Sequence, residues 1–595
     1  MPDPPAFTKS QERFFSLVNN TSRNIFLTGS AGTGKTFALK QVKQTLTDQG
    51  KVFVVVAPTG AAAYNCEGRT VHSAFKPLPR AAASARWSPI PTCMADTRYG
   101  ILTDVDTNPT VKIGDLPTPW SEVDVLFIEE VSMLDAGLFA VLDACLRRAR
   151  GSNCPFGGLR TVCVGDFGQL RPVAPKTGED SPNTGLYAFE PFTLTAVKEG
   201  YQGSVISTWA NANFVYCPLV ENVRQQGDGV SRLVCEYLRS GEIYSQFPWQ
   251  VKKALLRCAE YGTPDELIRN RPKFEDAPRI YWSNAAIDSY NQARNSLLTD
   301  ELLDLEPTFT ASTLGGPAPT MQEIASALAD KRKTMKEAGV GLDKVTLYAG
   351  SRLMITRNNE SVKGHYNGAV GTATHVETKR FANKDTKTLV YVSTPDGPIP
   401  VAAFEDEEQY EFQRPSGPPA TVTVKCSFFP LTLAYAISFH KCQGATLTGP
   451  VIIMVNSGMG SFAGGANMAY VGVSRATSID NVALLCDKHR DSNAFLSGEP
   501  LLARIFLTDP KVLDFYDSLN AKHGSTDWGA TPFDGGRVCL CCGETADVLF
   551  RPCMHAAACQ RCTAKARATA PAKRLTCVAC GATVHETLVV ARTKV

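Results

Sequence analysis

The most regular feature of the chain is a set of short, almost wholly apolar runs separated by helical or polar stretches. Asn24–Thr28 (NIFLT), Val52–Ala57, Val123–Ile128, Thr161–Gly165 and Val451–Val455 are each strand-sized. They are apolar at successive rather than alternate positions, which predicts parallel strands buried on both faces. The helical pattern FALKQVKQTL (Phe37–Leu46) lies between the first two runs. Strands alternating with helices predict an α/β class with parallel sheets. Arg279-Ile-Tyr-Trp-Ser-Asn284, with a helical stretch through Asn291, predicts a further strand and helix. From Gly371 to Lys425 the pattern changes to short alternating strands, as in THVETKRF, TLVYVST and ATVTVKC. Pro307–Pro319 reads as a turn-rich linker, Met321–Ala338 as a charged helix, and Arg80–Trp120, rich in Pro, Thr and Ala, as an interruption of the sheet pattern.

Length sets the scale: 595 residues at roughly 150 per domain suggest about four folded units. A hydrophobic share of 44% with 20% charged residues excludes a wholly disordered or fibrous chain. The apolar runs fall far short of the roughly 20 residues of a membrane span. MPDPPAFTKSQ at the N-terminus lacks a basic region followed by an apolar stretch. The expectation is an intracellular, soluble protein without a membrane partner.

The formal charge of +3 is nearly balanced but uneven. Residues 537–595 hold nine Lys/Arg against three acids, a net +6, which leaves −3 for the residues before them. A DNA-binding surface in the main body is therefore expected to be a local groove rather than a general basic field. Eight of the 19 cysteines fall between Cys539 and Cys580.

The first apolar run leads straight into Gly29-Ser30-Ala31-Gly32-Thr33-Gly34-Lys35-Thr36 and then into the helical pattern. Strand, glycine-rich loop and helix form the context of a P-loop. Its backbone N–H groups close around phosphates, Lys35 reaches the β/γ oxygens, and Thr36 offers a hydroxyl to Mg²⁺. The run Val123–Ile128 ends in Glu129-Glu130. The first carboxylate suits Mg²⁺ held through water, and the second suits orientation or deprotonation of the attacking water. Thr161–Gly165 leads into Asp166-Phe-Gly-Gln169, where Gln169 is placed to report on a γ-phosphate. These residues predict an ATPase using ATP and Mg²⁺.

The order of motifs resembles the superfamily 1B DNA helicases, and within them the Pif family. Gln11 in FTKSQERFF matches an adenine-contacting glutamine. Ala57-Pro58-Thr59-Gly-Ala-Ala-Ala63 and Thr70-Val-His72-Ser73-Ala-Phe75 match segments lining the single-strand path. Pro155-Phe-Gly-Gly158 is similar to a stretch that marks the Pif group, and Glu221-Asn-Val-Arg224-Gln225 to a motif whose arginine faces the γ-phosphate. Pro430 through His440-Lys441-Cys-Gln443-Gly444-Ala-Thr446 resembles the motif coupling ATP to DNA, and Tyr470-Val-Gly-Val-Ser474-Arg475 supplies a second arginine. The resemblance covers most of residues 1–520.

It implies two RecA-like domains sandwiching ATP, with the P-loop from the first and Arg224 and Arg475 from the second, and 5′-to-3′ movement on single-stranded DNA toward duplex junctions. Pro58, Thr59, His72, Ser73, Phe75, His440 and Lys441 are the implied strand contacts. The implied division is a first RecA-like domain over 1–218 with a wedge-type insertion near 76–120, a second over 219–370 and 426–520, an inserted SH3-like β-barrel over 371–425, and a linker over 521–536. Two departures stand out: Glu129 where Asp is usual, and Arg171 where Pro is common.

The C-terminal array reads Cys539-x2-Cys542-x10-Cys553-x-His555-x3-Cys559-x2-Cys562-x14-Cys577-x2-Cys580. Eight ligands in four pairs suit two tetrahedral Zn²⁺ ions. The ligand order resembles a RING finger over 537–595. The cross-braced arrangement of that family pairs Cys539, Cys542, Cys559 and Cys562 at one zinc, and Cys553, His555, Cys577 and Cys580 at the other. Leu540 suits docking of a ubiquitin-conjugating enzyme, whereas Ala579 and Gly581 depart from the usual ligase pattern. The readings for this module are ubiquitin ligation, a purely structural or partner-docking role, and contact with DNA. A RING-like domain implies a eukaryotic or viral origin and hence the nucleus.

Overall fold

In the computed structural model the residues described are, apart from short interruptions, 7–75, 118–193, 205–455, 467–487 and 505–527, with three strands between 548 and 589. Helix α1 (Lys9–Asn20) opens the chain with a capping box, in which the Thr8 and Gln11 side chains each accept from the other's backbone N–H. The apolar runs then build a parallel sheet from β1 (Ile25–Gly29), β2 (Phe53–Ala57), β3 (Arg69–Thr70), β4 (Val125–Ile128), β5 (Arg160–Val164) and β6 (Val215–Leu219). Their order is β3-β2-β4-β5-β1-β6, with the P-loop strand β1 between β5 and β6. β1 and β4 are buried at every position, as their unbroken apolar runs require.

A second parallel sheet contains β7 (Ala259–Gly262), β8 (Arg279–Tyr281), β9 (Ala436–Ser438), β10 (Val451–Val455) and β11 (Val482–Asp487), in the order β9-β8-β10-β11-β7. The helix α2 (Gly229–Ser240) and the helix Trp249–Cys258 pack into its core with α3 (Met468–Arg475). Ala31 and Leu170 of the first domain join the same apolar cluster, so the two sheets share a continuous contact.

Between β8 and β9 the chain leaves the second sheet for an antiparallel region that is wider than the expected 371–425. It spans strands from Glu301–Leu305 to Leu431–Leu433. Thr308–Thr313, inside the expected linker, is a strand paired with Ala420–Phe428; it is exposed at every position except the half-buried Phe309. Among the described residues the hydrogen bonds divide this region into sheets of five, three and two strands rather than one closed ring. The expected helix is present as Met321–Glu337, and its buried Lys331 bonds Asp406 and Glu408 on the adjacent strand.

The helix α4 (Pro510–Asp527) corrects the assignment of everything through 520 to the second domain. It returns to the first sheet, where Phe515 stacks on Phe189 at 4.0 Å and lies edge-on to Phe167 at 5.4 Å. Beyond it, Val548–Arg551, His555–Ala558 and Glu586–Val589 form a three-stranded antiparallel sheet. The first residues of the expected linker 521–536 belong instead to α4; the rest of that linker, the wedge-type insertion near 76–120 except its last three residues, and the zinc ligand set lie outside the described residues, save the backbone of His555 within its strand. Among the described residues no helix is long and apolar enough to cross a membrane.

Candidate nucleotide cleft and strand-facing surface

The P-loop leaves β1 in backbone conformations that glycine alone adopts freely. Gly32 has φ +89°, and a Cβ there would meet Arg224 Cβ at 2.7 Å. Gly34 has φ +79°, with Gln11 Nε2 at 2.7 Å from the equivalent position. Lys35 Nζ donates to the carbonyls of Gly29 (2.9 Å) and Ser30 (3.1 Å), so the ammonium sits inside the loop it serves. Desolvation lowers its pKa, against the raising influence of Asp166 and Glu130. Thr36 Oγ1 donates to Glu129 Oε1 at 2.7 Å, joining the loop to the acidic end of β4. Burial, with Glu130 beside it, raises the Glu129 carboxyl to about 7. Glu130 has φ +51°, an uncommon conformation for a residue with a side chain.

Five buried side-chain oxygens around the cleft have no hydrogen-bond partner among the described residues: Glu129 Oε2, Glu130 Oε2, Gln169 Oε1, Gln443 Oε1 and Asn467 Oδ1. Leaving a buried acceptor unpaired costs about 1–3 kcal/mol. A hydrated divalent cation supplies donors to such a set, so the residues present fit Mg²⁺ together with ATP. The acids meet the second domain directly: a Cβ on Gly444 would lie 3.7 Å from Glu130 Oε1, and Gln443 Nε2 donates to Ser132 Oγ at 3.4 Å.

The two arginines reach the cleft by different routes. Arg224 was expected from the second domain, but it follows β6 of the first sheet. Its backbone N–H and that of Val223 donate to Gly32 O, at 3.0 and 2.8 Å. Its guanidinium then crosses to Ser474 O at 2.9 Å. Burial, then the neighbouring Arg475, lowers its pKa to about 10. Arg475 does come from the second domain, on α3. It is 2% exposed, and its Nε donates to Val471 O at 3.0 Å and Nη2 to Ser474 Oγ at 3.0 Å. Gln11 is 2% exposed beside the loop, and its Nε2 donates to Thr33 O at 3.4 Å.

Sequence patterns did not reveal the polar hub behind the P-loop. Asp166, fully buried, accepts from Gly168 N (3.0 Å), Arg239 Nε (2.9 Å), Tyr470 OH (3.0 Å) and Tyr516 OH (3.3 Å). Burial alone would raise its carboxyl, but Arg239 and Lys35 hold it below the ordinary value. Tyr470 OH in turn accepts from Ala31 N at 2.9 Å, and Asn467 Nδ2 donates to Gln169 O at 3.0 Å. The one available signal was an acid directly after a buried strand; nothing local marked Arg239 or Tyr516. Arg171 bonds Glu190 at 2.7 Å, lies 3.4 Å from Asp509, and stands over the Tyr187 ring at 4.7 Å. This departure from the Pif pattern is therefore an anchor between the segment after Gln169 and the start of α4.

On the implied strand-facing side, Thr59 caps the helix Gly60–Asn65, and Pro58, His72 and Ser73 are half-buried. Ser438 caps a short helix that presents a half-buried His440 and an exposed Lys441. Phe75 is a correction. It is 1% exposed and stacks on Trp120 at 4.5 Å, so its ring fills the first core and offers no face to a base. In the Pro155–Gly158 segment Phe156 and Gly157 are buried, and the Phe156 ring packs on Phe139 and Phe214.

A family model described as PIF1-like helicase matches residues 6–86 and 93–184. Relatives named ATP-dependent DNA helicase PIF1 include those of Danio rerio, 25% identical over 82% of this chain and 62% of its own, and Homo sapiens, 27% identical over 84% and 61%. The chain thus spans about three fifths of the first relatives it matches. A Pif1 from Bdellovibrio bacteriovorus is 25% identical over 83% of this chain and 88% of its own. In fold, the chain is similar to a Pif1 helicase from Candida albicans, with a TM-score of 0.58 and 23% identity over 87% of this chain and all of that one. It is also similar to a Bacteroides Pif1 solved with ADP-AlF3 and ssDNA, with a TM-score of 0.57 and 21% identity over 87% and 98%. Family model, relatives and fold agree in one respect: the chain is similar to PIF1-like helicases, in sequence through the P-loop half and in fold over most of its length.

Proposed function

We propose that the protein is an ATP-dependent DNA helicase that moves 5′ to 3′ on single-stranded DNA and opens duplex junctions. The observation that carries this reading is the shared cleft: beside the P-loop and Glu129, Glu130 and Ser132 of the first domain meet Gly444 and Gln443 of the second, and Arg224 of the first domain reaches Ser474 O, next to Arg475. Lys35 and the loop amides bind the phosphates, while Thr36 and Glu129 would hold Mg²⁺, which would supply charge neutralisation for phosphoryl transfer. Glu130 takes the proton of the attacking water, Gln169 orients that water, and Arg224 and Arg475 stabilise charge developing on the transferred phosphoryl group. Because Arg475 and Gln443 belong to the second domain, occupancy of the cleft favours its closed form. His440 and Lys441 then follow that motion along the strand.

Unwinding of duplexes bearing a 5′ or a 3′ single-stranded tail tests the reading. Wild-type protein is expected to open the 5′-tailed duplex alone, and Lys35→Ala to open neither, with its ATP turnover reduced by about 10²–10³. Opening of the 3′-tailed duplex alone overturns the polarity. DNA-stimulated ATP hydrolysis without opening of either duplex favours a translocase that strips proteins from DNA.

For the C-terminal segment we propose a RING-like module holding two Zn²⁺ ions, supported by the spacing of its seven cysteines and His555. Elemental analysis of the full chain should give two zinc per molecule, falling to one or none in Cys577→Ser/Cys580→Ser. Its proposed partner is a ubiquitin-conjugating enzyme docked through Leu540. Absence of ubiquitin transfer with zinc present leaves a structural or partner-docking module. Work at DNA in a nucleus is the setting this architecture favours.

A further inference from the structure

The helix α4 lies outside every motif of the cleft, yet its Tyr516 reaches the back of the P-loop. Its hydroxyl is 2.9 Å from Thr28 Oγ1, 3.1 Å from Phe167 N and 3.3 Å from Asp166 Oδ1. The phenol proton goes to the Asp166 carboxylate, leaving the phenolic oxygen to accept from Thr28 and Phe167. Burial, then the nearby Asp166 charge, raises the phenol pKa, so it stays a neutral donor. Thr28 lies one residue before the end of the strand that enters the P-loop, and Asp166–Phe167 begins the loop that carries Gln169. These loops leave neighbouring parallel strands, and one hydroxyl spans the gap between them.

The rest of α4 is fixed by other means. Phe515 is held by Phe189, Phe167 and Trp209, the last at 5.8 Å, while Lys511 pairs with Glu190. Arg171 ties Asp509 to the same anchor. Removing one hydroxyl therefore leaves the helix seated and releases only the two loops. Arg239, 4.8 Å over the Tyr516 ring, belongs to α2 of the second domain, so the hydroxyl sits where the domains share a buried charge pair.

We propose that Tyr516 is a positioning residue for phosphoryl transfer, setting the γ-phosphate-reporting loop of Gln169 against the P-loop. This rests on the reading of the cleft as an ATPase. Its effect belongs in kcat rather than in nucleotide affinity, because the hydroxyl touches neither the phosphate cradle nor Gln11. It also makes the helix leading into the cysteine-rich segment a structural part of the nucleotide site.

The experiment is steady-state ATP hydrolysis with saturating single-stranded DNA, read beside thermal unfolding, for the full chain, Tyr516→Phe and Phe515→Leu. Tyr516→Phe is expected to lower kcat about tenfold, the equivalent of one lost hydrogen bond of about 1.4 kcal/mol in the transition state, while KM for ATP stays within about twofold. Phe515→Leu should lower Tm more than Tyr516→Phe does, yet leave kcat of the folded protein near wild type. Equal kcat in wild type and Tyr516→Phe overturns the proposal. So does a loss of kcat that tracks Tm across both variants, since that marks the helix as packing alone. A wild-type protein that turns over no ATP overturns the ATPase reading and this proposal together.

Discussion

The two parallel sheets share a construction and carry different chemistry at their strand ends. In the first, β1, β4 and β5 run into the P-loop, Glu129–Glu130 and Asp166–Gln169, three polar loops converging on one cleft. In the second, β9 runs into the helix bearing His440 and Lys441, and β8 into Trp282, 42% exposed. Its contribution to the cleft comes from Gln443–Gly444, directly after that short helix, and from α3. The comparison shows that the parallel sheet is a common scaffold and that the loops decide which copy performs the chemistry. The second copy completes the site only when the two sheets are packed together.

The largest expected effect comes from breaking that completion. Arg475→Lys keeps the charge and loses the planar fork, and ATP turnover should fall by about 10³. Binding of a fluorescent ATP analogue should be nearly unchanged, because the P-loop side is intact. Loss of binding equal to the loss of turnover would make the second sheet part of the phosphate cradle.

A smaller effect separates the core of the first sheet from the strand-facing surface of the second. Phe75→Ala should cost about 3–5 kcal/mol in urea unfolding, as expected for a buried aromatic against Trp120. Affinity of the folded protein for single-stranded DNA should not change, whereas Lys441→Ala should weaken it. The reverse pattern would restore Phe75 to the strand path.

The smallest effect is a pH slope. Burial raises the Asp135 carboxyl to about 6, against the backbone N–H donors of Gly137 and Leu186. The folded state therefore holds a proton that the unfolded chain releases at the ordinary carboxylate pKa. Stability should fall as pH rises from that value to about 6 and level off above it. Asp135→Asn should flatten that part of the curve, measured by urea midpoints between pH 4 and 7.

Most of the candidate nucleotide site was legible in local sequence because its parts are local. Buried strands read as unbroken apolar runs, and a glycine-rich loop before a helix reads as an anion cradle. Glu129–Glu130 announced themselves by following such a run. Phe75 misled because an aromatic in a motif looks the same whether it faces a base or a core. Thr308–Thr313 lay among turn-forming residues and became a strand only by pairing with Ala420–Phe428, more than a hundred positions away.

By itself, then, the sequence determined the two sheet-forming halves, the phosphate loop, the paired acids and the arginine-bearing motifs, since each depends on neighbours within one turn or strand. Tertiary structure alone decided that Arg224 is seated on the P-loop, that Arg171 anchors Glu190 and Asp509, and that α4 returns to the first sheet. It also decided that Asp166 gathers Arg239, Tyr470 and Tyr516. The physical reason is that a buried charge must be paired wherever the chain can supply a partner. Here Tyr516, 350 positions away from Asp166, comes from a helix that no local pattern connects to it.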